Sequence, residues 1–255
     1  MRALVLSAVL FFLLLSCPVD LVASLAADSH VLYRCDHLLL GTLGELQLET
    51  HYLNDGKIVV RLSGDALGLA ALLDGHRHHD YETVLVRQPD GQLQTLSHQR
   101  ITHIDSRGRR IQYGWRLTFS EDSRVFAERL WGGEVVETLH HRAQTACYGD
   151  FLSVLIAFQD CSDALRVGER MDYTFFTMDG PARIRVDVVD REIVSIAGKA
   201  KPVWRCNIAS ESGQLPGGYR SMVLWCNETR QVVKGRGAMM WGFGSLNVRQ
   251  AGEAL

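Results

Sequence analysis

The sequence predicts a mainly β protein of antiparallel strands with two short helices. Three observations carry this expectation. From Val31 onward the dominant hydrophobic period is two, not 3.6. The alternating runs are separated by short turn-forming groups such as Asn54-Asp55-Gly56 and Pro89-Asp90-Gly91. Two segments alone, 66–73 and 150–158, break the alternation with helical spacing.

The N-terminal residues 1–26 read as a signal peptide. Arg2 supplies a minimal positive region, an apolar run from Ala3 to Leu15 is interrupted by Ser7, and Pro18 and Asp20 end it. The run is short for a bilayer span. Ser24-Leu25-Ala26 then places cleavage after Ala26. A competing reading takes Leu14-Leu15-Ser16-Cys17 as a lipobox with Cys17 as the lipidated residue. Both readings export the chain: to the periplasm in the first, to a lipid anchor at a bacterial membrane in the second. No second long apolar run follows, so no transmembrane helix is expected in the mature chain.

The strands follow in order. Glu45-Leu46-Gln47-Leu48 leads through Tyr52 to Asn54-Asp55-Gly56 and into 57–62, a hairpin with a tight turn. The segment 66–73 is an Ala/Leu run weakened by Gly68 and stopped by Asp74-Gly75. Segments 82–88 and 92–98 flank Pro89-Asp90-Gly91; 110–119 and 124–131 flank Ser120-Glu121-Asp122-Ser123; Trp131-Gly132-Gly133-Glu134 turns into 135–141. The second helix is the clearer one: Asp150 is a capping residue, and Phe151, Val154, Leu155 and Phe158 fall at i, i+3, i+4 and i+7. Strands resume at 171–177, 182–189, 203–208, 219–226 and 238–248. With no repeat, low-complexity tract or Pro-rich linker, residues 27–255 read as one β-rich domain, with 148–160 as the place where two lobes would divide.

Charge excludes one class of partner. The full chain carries a net charge of −2, and removal of 1–26 takes Arg2 and Asp20 together, leaving that value unchanged. A slightly acidic chain with interspersed charges has no footprint for nucleic acid. The basic group Arg107-Gly108-Arg109-Arg110 sits where a hairpin turn is expected.

After the signal, Cys35, Cys147, Cys161, Cys206 and Cys226 remain, an odd number without zinc spacing. Cys147 and Cys161 bracket the helix at 150–158 and would stand about 20 Å apart along it, too far to bridge. Cys206 follows Trp204 on one strand and Cys226 follows Leu224 on the next, so a Cys206–Cys226 disulfide is expected in an oxidising compartment. A second bridge would join Cys35 to Cys147 or Cys161.

Few residues spell out chemistry. Asp74-Gly75-His76-Arg77-His78-His79-Asp80 gathers imidazoles and carboxylates, but Arg77 sits among them and no metal-binding helix motif accompanies them, so no metal and no cofactor is assigned. Gly242-Phe243-Gly244-Ser245 has the wrong order for a nucleophile elbow, and phosphate-loop and dinucleotide motifs are missing. No catalytic residue is assigned, and a non-enzymatic role is favoured. Several strands carry aromatic or Met residues on both faces, and Trp115, Trp204, Trp225 and Trp241 are the candidates for lining an apolar cavity. Asn227-Glu228-Thr229 matches a glycosylation acceptor by chance.

Three stretches resemble a family of secreted bacterial proteins known as domain of unknown function 3108. They are Tyr33-Arg34-Cys35-Asp36-His37-Leu38-Leu39-Leu40-Gly41, then Asp150-Phe151-Leu152-Ser153-Val154-Leu155 followed by Leu165-Arg166-Val167-Gly168-Glu169, and Ser221-Met222-Val223-Leu224-Trp225-Cys226-Asn227-Glu228-Thr229-Arg230. The resemblance spans most of 31–245. It implies an exported antiparallel sheet curved around helices, an incomplete barrel comparable to lipoprotein carriers, and it transfers no catalytic residue. Function is then expected to be binding of an apolar or amphipathic ligand, or of an envelope partner, in the concavity. The rivals are an enzyme acting on an envelope glycan or lipid and a structural subunit of an envelope complex.

Overall fold

In the computed structural model the described residues are 28–37, 41–74, 76–106, 109–143, 149–161, 163–196, 199–210, 221–238 and 245–250. The expected signal with Cys17, as well as Cys147 and Trp241, lies outside them. The chain opens with β1 (Ser29–His37), β2 (Gly41–Tyr52) and β3 (Lys57–Ala66), then α1 (Gly68–Asp74). It continues through β4 (His78–Arg87), β5 (Leu93–Ser106), β6 (Arg109–Phe119), β7 (Arg124–Trp131) and β8 (Glu134–Arg142). After α2 (Phe151–Asp160) come β9 (Arg170–Thr177), β10 (Gly180–Ile196), β11 (Lys199–Ser210), β12 (Ser221–Cys226), β13 (Val232–Ala238) and β14 (Ser245–Gln250).

All fourteen strands form one antiparallel sheet in the order β8-β7-β6-β5-β4-β3-β2-β1-β14-β13-β12-β11-β10-β9. Each neighbour is the next strand in the chain except one: β14 docks beside β1, pairing Cys35 with Val248. That long-range pairing makes β8 and β9 the two edges of a curved, unclosed sheet. α2 bridges those edges in the chain and lies in the concavity. Leu152, Ser153, Val154, Leu155, Ile156 and Phe158 are buried, more than one stripe, as an enclosed helix requires. The apolar ones join one core with Val31, Tyr33, Leu46, Leu48, Val60 and Leu62 from the first strands and Ile184, Val186, Cys206, Leu224 and Val232 from the last. The edges touch at one end without pairing: His141 Nε2 lies 3.1 Å from the Met178 carbonyl, and the His141 ring lies 6.2 Å from that of Phe176. Among the described residues no helix is long and apolar enough to cross a membrane.

The hairpin turns stand where the turn residues place them, with Gly56 and Gly91 at positive φ. Three expectations need correction. The first helix begins at Gly68, not at 66: Ala66 ends β3 opposite Gly44. The strand expected over 238–248 is two strands, β13 and β14, paired from Lys234–Arg249 to Ala238–Ser245. Gly235 and Gly237 occupy the inner face of β13 and show no alternation, which hid it. The β10–β11 hairpin is also longer than expected. It extends past a bulge near Asp190 into a stretch where Ile193, Lys199 and Lys201 are exposed, so burial no longer marks the strand.

Gly114 in β6 faces Ile101 across the ladder, and a Cβ there would run into the Arg100 carbonyl. Gly114→Ala must push β5 from β6; we expect a loss of about 1–3 kcal/mol, read from urea unfolding at constant m.

Candidate functional site

The inner face of β4 to β8 is built in rows set by the register. The deepest row is Thr83, His98, Leu117, Ala127 and Leu139; the next is Tyr81, Arg100, Trp115, Arg129 and Glu137; the outermost is His79, Thr102, Tyr113 and Trp131. The start of α2 covers Thr83 and His98 in the first row, and Phe176 of β9 packs on Leu117 and Ala127. Tyr81, Arg100, Tyr113 and Trp115 are half-buried, and Arg129 and Trp131 are exposed.

At the boundary sits a buried polar network. Asp150 caps α2: its Oδ1 accepts from the Leu152 and Ser153 amides at 2.7 and 3.4 Å, and its Oδ2 accepts from Ser153 Oγ at 2.5 Å. Thr83 Oγ1 donates to the same carboxylate at 3.1 Å, and His98 Nδ1 lies 2.8 Å from Thr83 Oγ1 and 3.1 Å from Asp150 Oδ1. Thr95 Oγ1 donates to Ser153 Oγ and accepts from the Gly149 amide. Burial alone would raise the Asp150 carboxyl; His98, Ser153 and the Leu152 amide outweigh it and hold it below the usual carboxylate range. The serine bonds the carboxylate and not the imidazole, so these groups lock a helix start and do not form a nucleophile relay.

In the outermost row, His79 is 1% exposed. Its Nδ1 lies 2.9 Å from Thr102 Oγ1, while its Nε2 is buried without a hydrogen-bond partner. Burial, then the charges of Arg100 and Arg77, push the imidazole down to about 3. Arg100 lies over the Tyr81 ring at 5.4 Å, and Trp115 packs on His98 at 4.8 Å. Arg129 pairs with Glu137 at 3.2 Å. Because His79 has a folded value below its unfolded one, about 6.5, the unfolded chain binds more protons between those values. Stability is therefore complete above that window and falls as pH drops through it, by about 1.4 kcal/mol per unit. Urea midpoints from pH 7 to 4 test this: a His79→Phe variant should show a shallower decline.

Elsewhere, a cleft of about 430 Å³ lies between the β4–β5 turn, the β6–β7 turn and the end of α2, with Leu93, Phe119 and Val125 beside Gln88, Gln92 and Asp160. Exposed Cys161 stands on its wall. On the convex face His78 contacts Asp65 at 2.8 Å and Asp80 at 3.0 Å. Among the described residues no group of three His, Cys, Asp or Glu side chains is arranged to hold a metal ion.

The candidate tryptophans separate. Trp115 lies on the open inner wall. Trp204 is on the inner face of β11, packed against the main core beneath the Arg191 guanidinium, at 5.2 Å. Trp225 does not line the concavity: it alternates away from Leu224 and Cys226, packs with Val203 and Val233 on the other face, and donates from Nε1 to Glu192 at 2.9 Å. Cys206 and Cys226 share the inner face, yet they stand as thiols in hydrogen-bond contact, not as a disulfide. The register puts Cys206 opposite Leu224 and Cys226 opposite Trp204. Such diagonal partners are about 7 Å apart, at the edge of disulfide reach.

Sequence reasoning placed His79 in a histidine-rich loop, whereas it lies on β4, and it missed Arg100 and the His98–Asp150 contact. Arg100 was hidden by a bulge at Leu96: Leu85 faces Thr95 but Val84 faces Ser97, so the parity of inward residues changes along β5.

No family model matches the chain, and no curated protein matches it; the likeness to domain of unknown function 3108 rests on the stretches quoted for it. A solved structure does match: the crystal structure of a β-barrel-like protein of domain of unknown function DUF1849 from Brucella abortus. It is 13% identical with a TM-score of 0.54, covering 89% of this chain and 96% of that one. At this identity the likeness extends to the fold.

Proposed function

We propose that this protein is a non-enzymatic, exported binding protein of the cell envelope that receives an apolar or amphipathic ligand in the open half of its concavity. The observation that carries the reading is the uneven filling of the curved sheet. Between α2 and β10 to β12 lies an apolar seam of about 20 Å³, next to Phe158, Cys206 and Leu224. Across the cavity the aromatic wall of Tyr81, Tyr113 and Trp115 is half-buried, with Trp131 59% exposed at its rim. Ligand sites are concave, mostly apolar and equipped with a few polar groups, and this wall has that make-up. In the same reading the compartment is oxidising, and Cys206 and Cys226 are the pair that would oxidise.

Native mass spectrometry of the chain extracted from its own envelope, followed by a denaturing spectrum, tests the reading. A chain beginning at Ala27 with a noncovalent lipid or glycan lost on denaturation is the expected result. A chain beginning at acylated Cys17 with no other ligand overturns the released carrier.

A further inference from the structure

The polar end of the ligand can be assigned from the same wall, and the assignment rests on the binding reading above. We propose that the open inner face of β4 and β5 is an anion site, in which Arg100 and His79 receive the carboxylate or phosphate head of an amphiphile while Tyr81 and Trp115 flank its first carbons.

Arg100 carries the first part of the argument. Other strand arginines meet carboxylates: Arg61 meets Glu82 at 2.8 Å, Arg116 meets Glu128 at 3.4 Å, and Arg129, in the same inner row as Arg100, meets Glu137 at 3.2 Å. Among the described residues no carboxylate pairs with Arg100, which rests on the face of Tyr81. A half-buried guanidinium held by an aromatic face keeps its hydrogen-bonding fork available for a planar or tetrahedral oxyanion.

His79 carries the second part. It is diagonal to Arg100 on the neighbouring strand, since Tyr81 faces Arg100 and His79 faces Thr102, so both side chains reach the same space. In the tautomer whose Nδ1 accepts from the Thr102 hydroxyl, the proton of the neutral ring sits on Nε2, a buried atom without a hydrogen-bond partner among the described residues. Leaving a buried donor unmet is costly, and an anion beside Arg100 would meet it. The sign of the charge follows from the neighbours: Arg100 and Arg77 both act on His79 as positive charges, which repels a cationic head and attracts an anionic one. The aromatic faces of Tyr81 and Trp115 supply apolar surface next to the charge, as an amphiphile needs.

The test titrates the purified chain, followed by tryptophan fluorescence, with dodecyl phosphate, uncharged dodecyl maltoside and inorganic phosphate, all below micelle formation. Dodecyl phosphate is expected to bind about tenfold or more tightly than the maltoside, with Arg100→Gln abolishing that difference and Arg100→Lys restoring part of it. Arg100→Lys keeps the charge, and thermal unfolding of both variants separates lost binding from lost folding. If inorganic phosphate binds as well as dodecyl phosphate, the anion site stands and the amphiphile reading falls. Equal binding of the two dodecyl compounds, indifferent to Arg100→Gln, overturns the anion site and leaves the binding reading standing. Binding of none of the three overturns both.

Discussion

Asp150→Ala is expected to cost about 3 kcal/mol of folding stability, roughly 1 from the lost helix cap and the rest from charge-assisted hydrogen bonds in a buried place. Asp150 is 1% exposed, and its carboxylate meets two amides, two hydroxyls and the His98 ring at once. Asp150→Asn keeps an acceptor for the Leu152 amide and should lose about half as much. The pH dependence follows from the direction of the shift. Because the folded carboxyl is held below its unfolded value of about 3.9, its stabilisation is fully present above that pH and is lost as pH falls through the folded value. Urea unfolding of wild type and variant should therefore differ most near neutrality and converge in strong acid. Equal midpoints at pH 7 would show that the network does not hold the helix.

Arg230→Ala should be of similar size, about 3 kcal/mol. Arg230 is 2% exposed in the β12–β13 turn. Its Nη2 and Nε donate to the Asp163 carbonyl at 2.6 and 3.2 Å, its Nη1 to the Phe158 carbonyl at 3.4 Å, and its guanidinium stacks on the Phe158 ring at 5.3 Å. It thus places a positive charge at the C-terminal end of α2, as Asp150 places a negative one at the start, and both complement the helix dipole. Its backbone sits at φ 58, an uncommon conformation for a non-glycine residue, which this buried anchor holds in place. Arg230→Lys should recover little, because an ammonium lacks the planar fork that serves two carbonyls. Faster amide exchange at 155–160 in Arg230→Ala, with the start of α2 unchanged, would localise the effect; a thermal midpoint equal to wild type would refute it.

How far the sequence was legible follows from the range of each signal. The hairpins of β2–β3, β4–β5 and β6–β7 could be read because Asn54-Asp55-Gly56, Pro89-Asp90-Gly91 and Ser120-Glu121-Asp122-Ser123 act on their own backbone. α2 could be read because a cap and an i, i+3, i+4, i+7 set lie within ten residues. Trp225 was assigned to the cavity by size, although its alternation with Leu224 and Cys226 already placed it on the other face.

By itself the sequence determined an antiparallel, mainly β chain with a capped helix between two runs of hairpins, since those features are written in neighbouring residues. Only the tertiary structure decided that β14 docks beside β1, that α2 fills one half of the concavity, and that Asp150 meets His98 and Arg230 meets Phe158. It also decided that His79 and Arg100 share the open wall, because a single extra residue at Leu96 reverses which side chains point inward. Contacts between distant segments depend on how the whole sheet curves and closes its register, and no local period records that.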